Sequence, residues 1–95
     1  MAEQPLVLIV EDTMVLAETY QAYLDKNQIT SDIATTVREG EQHLASNTYD
    51  VVLLDLGLPD RNGLELLKQL DKDVDGPEAI VITADGSINR AVEAM

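Results

Sequence analysis

Val51-Val52-Leu53-Leu54-Asp55-Leu56-Gly57-Leu58-Pro59-Asp60 is the stretch that decides how this chain folds. Four consecutive apolar residues, two of them β-branched, run directly into an acid and then into Gly and Pro. A strand wetted on one face alternates apolar and polar residues, whereas an unbroken apolar run marks a strand buried on both faces. Gly57, Pro59, Asp60, Asn62 and Gly63 then cluster as turn residues, with Pro59 and Gly63 shaping the loop. Leu64, Leu67 and Leu70 follow at helical spacing, up to the break at Asp75-Gly76-Pro77.

Two more runs carry the same signature. Leu6-Val7-Leu8-Ile9-Val10 ends at Glu11-Asp12, and Ala79-Ile80-Val81-Ile82 ends at Thr83. A weaker alternation predicts a short strand over 29–34. Between the strands the apolar period lengthens to that of a helix. Over 13–26, Leu16, Tyr20, Tyr23 and Leu24 share one stripe, and the helix over 37–46 closes at Asn47 as a cap. A last helix, capped by Ser87, runs through Ile88, Ala91, Val92 and Met95. Four strands alternating with four helices imply βαβ crossovers, hence an α/β fold with a parallel sheet. A chain of 95 residues supports one domain, spanning 1–95.

Composition narrows the function classes. Apolar residues make up 45% of the chain, but the aromatics are three Tyr with no Phe or Trp, so the expected core is aliphatic. The net charge of −12 repels nucleic acid and anionic membranes and attracts cations and basic protein surfaces. Without cysteine there is neither a disulfide nor a thiolate metal site. Glu3 stands where a secretory signal would carry a basic residue, and no apolar stretch approaches the ~18 residues of a membrane span. The expectation is a soluble, intracellular domain.

In parallel sheets of this kind, ligands bind beyond the carboxyl ends of the strands. Glu11 and Asp12 follow the first strand and Asp55 follows Leu54, so adjacent strands would bring three carboxylates into one small volume. Like charges so placed destabilise one another unless a cation offsets them. Oxygen donors without Cys, and with a single His, point to Mg2+ or Ca2+. Mg2+ uses one or two carboxylates together with waters and a phosphate oxygen, an arrangement suited to phosphoryl transfer. A carboxylate can itself be the nucleophile, and Asp55 is the best placed. Thr83 ends the next strand, where its hydroxyl can bond a phosphate on Asp55 and shift the backbone that follows. Taken singly, Asp12 reads as a helix cap, Asp55 as a turn residue and Thr83 as an ordinary strand residue. Three acids at two strand ends are harder to explain as caps. His43, with Glu39 and Asn47 four residues to either side, reads as a helical His and not a ligand.

Glu11-Asp12, Asp55-Leu56-Gly57-Leu58-Pro59-Asp60, Gly63 and Thr83-Ala84, in this order and spacing, resemble the receiver domain of two-component response regulators. The resemblance covers nearly the whole chain. The segment over 86–95, with Ala91-Val92-Glu93-Ala94-Met95, is most similar to the NtrC class of transcriptional activators. It implies a doubly wound, flavodoxin-like sheet and a cytoplasmic regulatory domain that accepts phosphate rather than an enzyme. By position, Asp55 matches the phosphoacceptor, Asp12 the direct Mg2+ ligand, Glu11 the acid holding the ion through water, Gly57 a backbone-carbonyl ligand and Thr83 the switch hydroxyl. The implied partner is a sensor histidine kinase or a histidine phosphotransfer protein. ATPase and DNA-binding domains would be controlled from outside this chain, so nucleic acid is not an expected ligand of it.

Members of that family continue into a fifth strand ending in Lys-Pro, preceded by a switch aromatic, and a fifth helix. This chain stops at Met95, and none of Arg61, Lys68, Lys72 or Arg90 replaces that lysine. The expectation is a domain incomplete at its C-terminus, lacking the fifth βα unit and able to self-associate through the Ala79-Ile82 edge. Two alternatives stand beside it: an interaction module that never takes phosphate, and a phosphatase of the haloacid-dehalogenase kind. The latter wants a second Asp two residues after the nucleophile, where this chain has Gly57.

Overall fold

Helical returns carry each strand back in the same direction. The computed structural model describes residues 5–82. In chain order these are β1 (Leu6–Val10), α1 (Met14–Lys26), β2 (Thr30–Ala34), α2 (Val37–Ser46), β3 (Val51–Asp55), α3 (Gly63–Asp71) and β4 (Glu78–Ile82). The strands form one parallel sheet in the order β2-β1-β3-β4. Thr83 and the helix expected over 88–95 lie outside the described residues. None of the described helices is long and apolar enough to cross a membrane.

The unbroken apolar strands have a simple cause. Successive side chains point to opposite faces, and here both faces are covered. Leu8, Val10, Val52 and Leu54 pack towards α2 and α3, where Val37, Leu66, Leu67 and Leu70 complete the larger core. Val7 and Ile9 pack on the other face against Ala17 of α1, flanked by Tyr20, Leu24, Ile33 and Leu53. β4 forms one edge of the described sheet; Ala79 and Val81 join the larger core, whereas Ile80 is 51% exposed.

Two expectations about the core need correction. Tyr23 was expected on the buried stripe of α1 but is 69% exposed. At about 100° per residue it lies roughly 120° round from Ala17, while Tyr20 and Leu24 lie within about 60°. Nor is the core purely aliphatic, since Tyr49 is 3% exposed within it. Its hydroxyl donates to an oxygen of Asp32 at 2.6 Å and lies 3.3 Å from Nδ1 of His43. That polar handle is what allows a tyrosine to be buried here.

Helix ends are closed by local chemistry. α1 stops where Gln28 takes φ 62°. The Ile29 N–H then bonds Leu24 O at 2.9 Å and the Gln28 N–H bonds Asp25 O at 3.0 Å, the paired bonds of a Schellman ending. α2 starts at Thr36, whose hydroxyl oxygen accepts the Glu39 N–H at 3.0 Å. The Glu39 carboxylate reaches back to the Thr35 N–H, one residue before the cap, at 2.7 Å, a variant of the capping box. Asn47 ends α2 as expected, and Asn62 starts α3 by accepting the Leu64 N–H at 2.9 Å.

Candidate acidic site at the carboxyl end of the sheet

Register builds the site. Val10 pairs with Leu54 across the β1–β3 ladder, so the residues that follow on both strands emerge side by side. The Glu11 N–H bonds Ala34 O at 2.9 Å, which ties the end of β1 to the end of β2 as well. Glu11 is buried, at 4% exposure, Asp12 is exposed and Asp55 is half-buried as the last residue of β3. One carboxylate oxygen from each of the three lies within 4.8 Å of the others.

Asp12 is not the cap of α1. Thr13 holds the N-cap position, and its own side chain makes no capping bond. The Thr13 N–H is taken instead by a Glu11 carboxylate oxygen at 3.2 Å. Burial pushes Glu11 from its ordinary 4.5 up to about 7; the Thr13 N–H opposes this, and Asp12 and Asp55 add to the rise. The site therefore holds more negative charge than its surroundings solvate, which is the condition a bound cation relieves.

The loop after β3 is folded tightly behind Asp55. The Gly63 N–H bonds Leu56 O at 2.9 Å, and Gly57 bridges to Asn62. A Cβ on Gly63 would stand 2.5 Å from Asp55 O and 2.9 Å from the Cα of Leu56, so no side chain fits there. Around Gly57 the space is open, with nothing within 4 Å of a built Cβ. Gly57 is exposed, as is Pro59, and its N–H lies 3.4 Å from Oδ1 of Asp55. The turn role read for Asp55 is thus present, as a long contact, beside its place in the cluster.

Asp60 and its neighbours were missed as structural residues. Asp60 Oδ1 accepts the Val37 N–H at 2.9 Å and Oδ2 the Arg38 N–H at 3.0 Å. Desolvation works against its charge, but these N–H groups prevail and hold the carboxyl below its ordinary range. Arg61 pairs with Glu41, whose other oxygen accepts from the Gln69 amide at 2.9 Å. Only an Asp in a turn hinted at this in the sequence, because its partners are more than twenty residues away. His43 is half-buried against Tyr49, away from the acids, in keeping with the helical reading. A groove lined by Leu44, Tyr49, Leu66, Leu70 and Pro77 opens at the opposite end of the strands and contains none of the three acids.

Comparison with known proteins agrees with this geometry. The family model of the response regulator receiver domain matches residues 7–95. The luminescence regulatory protein LuxO of Vibrio campbellii is 40% identical over 87 residues, which cover 92% of this chain and 19% of that protein. The response regulator ArlR of Staphylococcus saprophyticus is 41% identical over 78 residues, 82% of this chain and 35% of its own length. This chain thus spans about a fifth of the LuxO proteins it matches. Among solved structures, a signal receiver domain from Vibrio parahaemolyticus, described as that of a LuxO repressor protein, superposes with a TM-score of 0.85. It is 31% identical, with 96% of this chain and 70% of that one covered. The MaeR response regulator bound to beryllium trifluoride gives a TM-score of 0.81 at 31% identity, covering 96% of this chain and 76% of its own. Three convergent carboxylates at the ends of adjacent strands, on a sheet of this order, therefore belong to a chain that is a member of the response regulator receiver domain family.

Proposed function

We propose that Asp55 accepts a phosphoryl group from a phosphohistidine on a sensor kinase or a histidine phosphotransfer protein, and that this controls further domains of a cytoplasmic transcriptional regulator. The observation that carries the reading is the convergence of Glu11, Asp12 and Asp55 within 4.8 Å. Their donor atoms are all hard oxygens, and the proton affinity of Glu11 is raised first by its burial, with Asp12 and Asp55 adding to the rise. Such a set fits Mg2+. Asp12, Asp55 and the Gly57 carbonyl would hold the ion directly, and Glu11 through water. Bound there, Mg2+ supplies charge neutralisation between an anionic nucleophile and an anionic donor.

The chain's own residues do the rest. An Asp55 carboxylate oxygen forms the new bond to phosphorus as the nitrogen–phosphorus bond of the phosphohistidine breaks, and the bonding pair stays on the imidazole nitrogen. The open space around Gly57 leaves the donor a clear approach. Gly63 lets the loop close under Asp55, and Pro59 stiffens its turn. The Thr83 hydroxyl would donate a hydrogen bond to the new phosphate, drawing the following backbone inward. Beryllium trifluoride, the group bound by MaeR, imitates a phosphoryl group on a carboxylate, which supports carrying this chemistry over.

The test is intact-mass measurement after incubation with acetyl phosphate and Mg2+. The expected result is a gain of one phosphoryl group, absent in Asp55→Asn and absent in EDTA. No gain in the wild-type chain under these conditions, or a gain that survives Asp55→Asn, overturns the reading.

A further inference from the structure

The base of the Asp55 loop is tied to itself, through Gly63 to Leu56 and Gly57 to Asn62. Its apex is tied elsewhere. Asp60 bonds the Val37 and Arg38 N–H groups with one carboxylate oxygen each, and Arg61 pairs with Glu41, all on α2. α2 begins just beyond β2, and the last residue of β2, Ala34, accepts the Glu11 N–H. Val10 and Leu54 pair beneath them. Hydrogen bonds and the main chain between them thus link Glu11 to the end of β2, to the first turn of α2, to Asp60, and through the loop back to Asp55.

We propose that Asp60 is a positioning residue for the Asp55 site: by clamping the loop apex to the first turn of α2 it sets where the Gly57 carbonyl stands relative to the three carboxylates. This rests on the phosphoacceptor reading above. The same helix end is also held locally, by Thr36 accepting the Glu39 N–H and Glu39 accepting the Thr35 N–H, so Asp60 is not its sole capping group. Both Asp60 oxygens are engaged, so the interaction restrains direction as well as distance. An amide at this position keeps one acceptor and turns an NH2 towards a backbone N–H, so it restores the clamp only in part. Asp60 touches none of the reacting atoms; it acts through the loop.

The test uses Mg2+ alone as the probe, read by backbone-amide NMR titration of the full chain, with thermal melting in EDTA recorded in parallel. Supporting groups of a metal site usually govern affinity by about 10-fold or more. Asp60→Ala is expected to weaken Mg2+ binding about 10-fold, and Asp60→Asn about 3-fold. Both variants should melt within about 5 °C of the wild type. In the wild type, Mg2+ should shift the Val37 and Arg38 amides along with those of the site, and Asp60→Ala should uncouple them. Unchanged affinity in Asp60→Ala overturns the proposal. So does a loss shared equally by both variants and accompanied by a collapse of the melting temperature, since Asp60 would then serve folding alone. If the wild type binds no Mg2+, the phosphoacceptor reading fails first and this one fails with it.

Discussion

Replacing Glu11 by Gln should stabilise the cation-free domain at pH 8 but not at pH 4.5, where only the cost of burying the Gln NH2 remains. Glu11 is 4% exposed, and burial raises its carboxyl from 4.5 to about 7, with a hydrogen bond to Asp12 and the Asp55 charge adding to the effect. The folded chain therefore holds this proton more tightly than the unfolded chain does. That preference stabilises the fold fully below the ordinary value of 4.5 and is lost as pH rises through about 7. At about 1.4 kcal/mol for each tenfold in proton affinity, the loss amounts to about 3 kcal/mol. Gln removes the charge and keeps an oxygen to accept the Thr13 N–H, but its NH2 must find a partner in a buried site, so the net gain is about 2 kcal/mol. For a domain of this size that raises the melting temperature by roughly 10 °C. Thermal melts followed by far-ultraviolet circular dichroism in EDTA, from pH 4.5 to 8, read this directly. The wild-type curve should fall away from the Glu11→Gln curve as pH rises. Parallel curves, or a less stable Glu11→Gln at pH 8, would refute the electrostatic account of the site.

Three further substitutions test the scaffold. Gly63→Ala puts a methyl 2.5 Å from Asp55 O and should cost about 3 kcal/mol in urea unfolding; an unmoved midpoint would mean the loop is not closed under Asp55. Tyr49→Phe removes the donor that meets Asp32 at 2.6 Å and should lower stability by about 1–3 kcal/mol by the same measurement. Gln28→Gly relieves a side chain held at φ 62° and should raise stability by about 0.5–1 kcal/mol, whereas a decrease would show that the Gln side chain contributes more than the backbone loses.

The three apolar strands and the acid cluster were legible for one reason: a strand buried on both faces keeps polar residues to its ends, so each acid that follows an apolar run stands out. By contrast β2, with Ser31 and Asp32 inside it, showed only a weak alternation. Glu11, Asp12 and Asp55 are brought together as expected, and the ends of α2 follow the pattern over 37–46. What was not legible depends on groups distant in sequence. Asp60 looks like a turn residue until α2 is folded beside it, and Tyr49 has no place in an aliphatic core until Asp32 meets its hydroxyl. Tyr23 was misplaced because a stripe read from spacing has width, and only the close approach at Ala17 fixes its centre. Thr83, read as the switch hydroxyl, lies outside the described residues.

Strand order has a thermodynamic corollary. β1 and β3 are neighbours, yet the chain reaches β3 only after visiting β2 on the far side of β1. The two halves of the acidic cluster meet only once a segment of roughly 40 residues has been closed, so no isolated peptide from either half reproduces it. The mutual repulsion of these carboxylates is then borne by the native state alone. A cation that quenches it therefore stabilises the folded sheet as a whole.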